Sequence, residues 1–227
     1  MATIDRKAAP AELEIVPLTP DRWGDVAALF GEGGDPKTCW CMYWRLRGKD
    51  WSLGNPRSSR DRLHDLVEAD RDPAPGLLAY RDGRVVGWVS VAPRDDYARL
   101  TNSRVRPKLD DIPVWSVVCF VVSKSERGQG LTSHLLDAAM AYAIEHGAPG
   151  IEAYPVDPGD GRVPAALGYT GVLSTFEAAG FEVVREIVSP QATVRRVIVR
   201  RLIDPKARAA RNRPRTGTVQ AKAPSST

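Results

Sequence analysis

The stretch that most limits what this chain can become is "VVCFVVSKSERGQGLTSHLL", Val117 to Leu136. Six strand-forming residues run into a short polar turn, two glycines follow one residue apart, and a helical pattern begins. A helix N-terminus leaves its first N–H groups without partners and carries partial positive charge. Glycines let a ligand approach that backbone closely. Strand, glycine turn and helix together therefore predict a phosphate or pyrophosphate site, with the charge of Arg127 beside it. The P-loop pattern GxxxxGK[ST] is absent. Gly128, Gly130 and Ser133 mimic a dinucleotide fingerprint, with Glu152 at a suitable distance, but five residues separate Val122 from Gly128 where that motif has the glycines directly after the strand. An antiparallel hairpin, not an α/β repeat, lies upstream.

The rest of the chain reads as one α/β domain over residues 13–202. Leu13–Leu18 is a short strand. "TPDRWGDVAALF" is a helix with Thr19 as N-cap and Pro20 at its first position. Arg57 to Glu68 is a second helix. "GLLAYRDGRVVGWVSVAP" is two strands about an Asp82-Gly83 hairpin turn. Arg94 to Asp111 reads as a loop, Val114–Val122 as a strand, and Gly130 to His146 as a helix closed by Gly147 and Pro149. "GIEAYPV" is a strand, "TGVLSTFEAAG" a helix, and "FEVVREIV" with "TVRRVIVRRL" a half-exposed hairpin.

Charge is distributed unevenly. From Ile203 onward there are six Lys and Arg against one Asp, a net of +5, which leaves the remainder of the chain at −1 against the whole chain's +4. The basic character belongs to a tail, 203–227, whose composition predicts disorder; residues 1–12 are expected to be flexible as well. Nucleic acid or another polyanion is expected to interact only through the tail. Hydrophobic residues make up 43%, enough for a core. No apolar run approaches the roughly 20 residues of a membrane span, and the N-terminus lacks a signal-peptide pattern. A cytoplasmic protein without membrane contact is expected.

The segment after the central strand resembles the acyl-CoA site of the GNAT acetyltransferase superfamily. The family pattern, a strand ending in valine, a short turn and [QR]-x-x-G-x-[GA] opening a helix, stands here as Val122, "SKSE", then Arg127-Gly128-Gln129-Gly130-Leu131-Thr132. Thr132 departs from the usual Gly or Ala. "FEAAGF", Phe176 to Phe181, matches the family's "Y-E-x-x-G-F". The element order agrees from Leu13 to Leu202. The resemblance implies a mixed central sheet with a splayed parallel strand pair and flanking helices. It implies acetyl-CoA as acyl donor, its pantetheine arm on Phe120, Val121 and Val122, its pyrophosphate on Arg127, Gly128, Gln129, Gly130, Leu131 and Thr132, and Phe176 at its side. It implies transfer to an amine, on a small molecule in the first reading. A protein or peptide acceptor, and a non-catalytic acyl-CoA-binding module, stay open, as does a homodimer.

Two departures matter. The tyrosine that often protonates the departing thiolate falls at Phe176, which has no proton to give, and the usual central-strand carboxylate is missing. Tyr169 is the candidate acid, two turns before Phe176 if the helix reaches that far. Glu152, Asp157 and Asp111 are candidate bases, each also readable as an ordinary solvated charge. "DPKTCWCMYWRLRGKDW", Asp35 to Trp51, is either the lining of an aromatic acceptor pocket or ordinary core. Cys39, Cys41 and Cys119 with three scattered histidines do not make a four-ligand metal site, and no metal is expected.

Overall fold

The computed structural model describes residues 12–31, 36–51, 58–159, 161, 163, 167–188 and 193–204. The expectations for the N-terminus and for the tail beyond Asp204 lie outside them. Eight strands form one mixed sheet: β1 (Leu13–Pro17), β2 (Leu77–Arg81), β3 (Arg84–Pro93), β4 (Trp115–Val122), β5 (Gly150–Ala153), β6 (Val156–Asp157), β7 (Glu182–Ile187) and β8 (Arg195–Leu202). The order across the sheet is β1-β2-β3-β4-β5-β8-β6, with β7 also on β8. The helices are α1 (Trp23–Gly31), α2 (Pro36–Cys39), α3 (Ser59–Glu68), α4 (Ala98–Thr101), α5 (Leu131–Glu145) and α6 (Leu173–Ala178).

Local chemistry accounts for most of these elements. Asp82 and Gly83 both take positive φ, 49° and 74°, as a two-residue hairpin turn of primed type requires. Ser58 caps α3 by accepting from the Asp61 amide. α5 buries Leu131, Leu135, Leu136, Ala139, Tyr142 and Ala143, a helical stripe, against the sheet. Gly87 lets it sit down closely: a Cβ there would come within 3.0 Å of Leu131. Where α6 ends, Phe181 N–H donates to Phe176 C=O across Gly180 at φ 77°, and the two rings meet edge to face at 5.3 Å. "FEAAGF" is thus a helix-stop with its hydrophobic contact.

Some expectations need correction. Thr19 does not cap α1; Pro20–Arg22 form a 3₁₀ turn, the Thr19 hydroxyl goes to Asp21 instead, and the α-helix starts at Trp23. "GIEAYPV" is not one strand, because Tyr154 and Pro155 interrupt it between β5 and β6; proline has no N–H for a ladder. The loop from Arg94 contains a 3₁₀ turn and α4. α6 does not reach back to Tyr169: Gly171 at φ 83° stops it, and Tyr169 sits in a separate 3₁₀ turn, Gly168–Thr170.

Two cores lie on the two faces of the sheet. One packs α5 and α6 against Val117, Phe120 and their neighbours; the other packs α1, α3 and the segment 40–44 against Val118, Cys119, Val121 and Tyr154. The folded body runs on past β8, since Ile203 N–H donates to Pro149 C=O and its side chain packs on the first core.

Candidate active site

β4 and β5 are parallel, and they pair over three residues only: Trp115 with Ile151, Ser116 with Glu152, Val117 with Ala153. Past Val117 they part. The separation coincides with a bulge: on β3, Ser90 and Val91 are consecutive, but their partners on β4 are Cys119 and Val117. Val118 is the extra residue. A bulge bends and twists its strand, and here it does so where β5 is left behind. From Val118 to Val122 the edge of β4 that faced β5 carries no strand among the described residues. The bulge also shifts the alternation of side chains. Val117 and Phe120 face the α5 side, whereas Val118, Cys119 and Val121 face the other.

At the end of β4 the turn is tied down at several points. Buried Glu126 accepts from Arg81 Nε on β2 at 2.8 Å; Gln129 Nε2 donates to Ser125 C=O at 2.7 Å; Arg127 Nε approaches Val122 C=O at 3.4 Å. Gly128 and Gly130 hold φ of 75° and 77°, and a Cβ built on either meets nothing within 4 Å. Among the described residues, the backbone N–H groups of Gly128, Gln129, Gly130, Leu131 and Thr132 make no hydrogen bond within the chain. Five amides at the head of a 15-residue helix, on an open surface beside Arg127, form a concentrated set of anion donors.

The expected pantetheine and phosphate residues therefore lie together, Phe120 to Val122 on the open edge of β4 and 127 to 132 at the head of α5. Of Leu131 only the amide is open to a ligand, its side chain being core. Phe176 is fully buried, 6.2 Å from Phe120 and 5.3 Å from Phe181. Its ring fills the space that a side chain on Gly171 would need.

On the opposite face lies a different assembly. Tyr169 packs at the edge of that core, with Arg196 5.8 Å from its ring centre. Burial pushes its phenol up to about 12, against the lowering pull of Arg196. Arg106 stands 5.1 Å from the Trp44 ring and 5.9 Å from Tyr154. Burial and the like charge of Arg196 hold the Arg106 guanidinium below its ordinary value. Arg196 donates to Thr170 Oγ1 and Leu167 C=O. Nothing in the sequence marks Arg106 and Arg196, which share this place only through folding. Of the aromatic stretch, Trp40, Met42 and Trp44 are core, whereas Tyr43 is exposed with the Arg99 guanidinium over its ring at 4.1 Å.

The three candidate bases are engaged elsewhere. Glu152 is buried at the sheet centre and accepts from Arg200 through Oε1 at 2.6 Å and from Tyr154 OH at 3.2 Å, with Arg94 Nε 3.5 Å away. Asp157 pairs with Arg195 and the Gly159 amide. Asp111 is exposed and pairs with Lys108. Cys119 lies 3.1 Å, sulfur to sulfur, from Cys41, and burial together with that neighbour raises the Cys41 thiol well above its usual value. No group of His, Cys, Asp and Glu able to hold a metal occurs among the described residues, and no helix there is long and apolar enough to cross a membrane.

Comparison with known proteins agrees with this architecture. The yncA protein of Salmonella typhimurium, solved with its cofactor acetyl-CoA, superposes with a TM-score of 0.51 at 15% identity, covering 85% of this chain and 95% of that one. A GCN5-related N-acetyltransferase from Kribbella flavida gives 0.50 at 15% identity, over 84% and 98%. A histone acetyltransferase HPA2 and related acetyltransferase from Corynebacterium glutamicum gives 0.50 at 18%, over 85% and 98%. At such identities the likeness is one of fold. No curated protein matches the chain in sequence. The model of the acetyltransferase (GNAT) family matches residues 40–165, more than half of the chain and the span that holds β4, the glycine turn and α5. The chain belongs to the acetyltransferase (GNAT) family, whose acyl donor is acetyl-CoA.

Proposed function

We propose that this enzyme transfers the acetyl group of acetyl-CoA to the amine of a small molecule. The observation that carries the reading is the run of unpartnered amides from Gly128 to Thr132, continuous with the open edge of β4. Those amides and Arg127 hold the pyrophosphate. The free edge at Phe120 to Val122 offers backbone groups to the peptide-like amides of the pantetheine arm. Gln129 acts through its backbone, its side chain being committed to Ser125. Phe176 backs Phe120 as the apolar wall. Bound acetyl-CoA supplies an activated thioester, open to attack by an amine.

Tyr169 is the residue we assign to the leaving sulfur. Its phenol, raised to about 12, stays protonated at working pH. A thiol has an ordinary value of about 8.5, so the phenol is the weaker acid of the two. It serves by donating a hydrogen bond to the developing thiolate, and full proton transfer is not demanded of it. A cytoplasmic site of action accords with the donor.

The test is direct. Acetyl-CoA should raise the thermal midpoint of the purified chain, as a ligand of the native state must. Thiol release should then rise on adding one member of a panel of small amines. A midpoint shift without thiol release from small amines, but with acetylation of peptides, would replace this acceptor class by the protein one.

A further inference from the structure

The face opposite α5 poses a problem of charge. Several partly or wholly buried arginines have a carboxylate within 4 Å: Arg45 with Asp96, Arg81 with Glu126, Arg94 and Arg200 with Glu152. Arg106 and Arg196 have none among the described residues, although they repel one another. Arg106 makes no side-chain hydrogen bond there, and its Nε is shielded from water without a partner. The indole N–H of Trp44, a residue 3% exposed and stacked under Arg106, is also buried and unpartnered. Each of these groups donates and none accepts. Burying such donors unmatched is unfavourable, because each has given up its bonds to water without replacement. A site that gathers unmatched donors and two like charges is complementary to an anion.

We propose that Arg106 and Arg196 bind a carboxylate of the acceptor, so that the substrate is an amino acid or a related amine that carries an acid group. The inference rests on the acetyl-transfer reading, because it takes Tyr169, over which Arg196 lies, to stand where the amine meets the thioester. The planar guanidinium of Arg106 offers a two-pronged contact to a carboxylate. Arg196 has two of its donors fixed by Thr170 and Leu167 C=O, which sets the direction of the rest. Trp44 and Tyr154, stacked on one another at 5.8 Å, both lie beside the Arg106 guanidinium. A neutral or purely cationic amine would leave the donors unmatched and add to the positive charge.

The experiment compares the standard L-amino acids with their α-carboxamides and with aliphatic diamines, as acceptors for the full chain. Thiol release is one readout. The other is the thermal midpoint in saturating CoA with the N-acetylated amino acids, which needs no turnover. At least one free acid should exceed its carboxamide by roughly tenfold or more in kcat/KM, the effect of one charge-assisted pair, and its N-acetyl form should raise the midpoint. Arg106→Gln and Arg196→Gln should bring acid and carboxamide to within about twofold through KM, and Arg106→Lys should retain part of the preference. Stabilisation by acetyl-CoA alone should persist in all three. Carboxamides or diamines that serve as well as acids, or N-acetyl amino acids that fail to stabilise the wild type, overturn the proposal and leave acetyl transfer standing. Absence of both acetyl-CoA stabilisation and thiol release overturns the underlying reading as well.

Discussion

The two sides of the sheet are built from different material. On the α5 side the groups open to a ligand are backbone: five amides, two glycines in left-handed conformation and a bare strand edge. On the opposite side they are side chains: two arginines, three tyrosines and a tryptophan drawn from positions between 43 and 196. Backbone donors recognise groups common to every acyl-CoA, and they require little of the sequence beyond glycine and helix. Side-chain donors can be changed one at a time without disturbing the fold. On the proposed function, a donor half held in backbone and an acceptor half held in side chains would be a division suited to keeping one co-substrate while the other varies.

Substitutions on the two sides should therefore fail in different ways. The largest effect is expected from Gly130→Glu, which puts a side chain and a negative charge among the free amides at φ 77°. Acetyl-CoA affinity should drop by roughly 100-fold or more, read as loss of the thermal shift; Gly130→Ala controls for the backbone, at about 1–2 kcal/mol. Retention of the wild-type shift in the Glu variant would remove the cradle from its assigned place. Next is Tyr169→Phe, expected to lower kcat by roughly 10²-fold with acetyl-CoA affinity nearly unchanged. An unchanged kcat would end the assignment. Because burial raises that phenol to about 12, its donation should not weaken as pH climbs from 7 to 10; a rate that falls with an apparent value near 10 would mean that the tyrosine is not buried in the working enzyme. The smallest effect is expected at Cys119. Cys119→Ala should change kcat by less than about threefold and cost on the order of 1 kcal/mol of stability. The native thiol of Cys41, held protonated by burial, should react with iodoacetamide only after unfolding, since the thiolate is the nucleophile. Rapid native labelling would contradict its burial.

The same division explains what could be read in advance. The strand, the turn from Val122 to Thr132 and the helix form one contiguous stretch, and their physics is local: β-branched residues, glycines, a 3.6-residue stripe. They were legible, as were the Asp82-Gly83 hairpin and the β7–β8 pair. The cluster of Arg106 and Arg196 was not. Arg106 sits in a loop, Arg196 in an alternating strand, and both resemble ordinary surface charges until folding brings them together. Cys119 shows why alternation misleads. Counting by twos from Val117 puts Cys119 on the α5 side, and the bulge at Val118 sends it to the other. The pairing of Glu152 is hidden in the sequence for a related reason: its partners Arg94 and Arg200 lie 58 and 48 residues away in the chain. The condition under which Tyr169 would share a helix with Phe176 is not met, because Gly171 stops that helix short.

The anchoring of the glycine turn bears on the kinetics of encounter. Glu126 is locked to Arg81 on the neighbouring hairpin, and Gln129 and Arg127 fasten the same few residues back on themselves. A loop so fastened has little freedom left to lose when a nucleotide arrives. Association should be a single docking event, with an observed rate that rises linearly with concentration and shows no plateau, because no slow rearrangement precedes it. Cutting the Arg81–Glu126 tie by Arg81→Ala leaves the phosphate donors in place but loosens them. Weaker binding should then come with a larger entropic penalty in calorimetry, and the loss should lie mainly in faster departure.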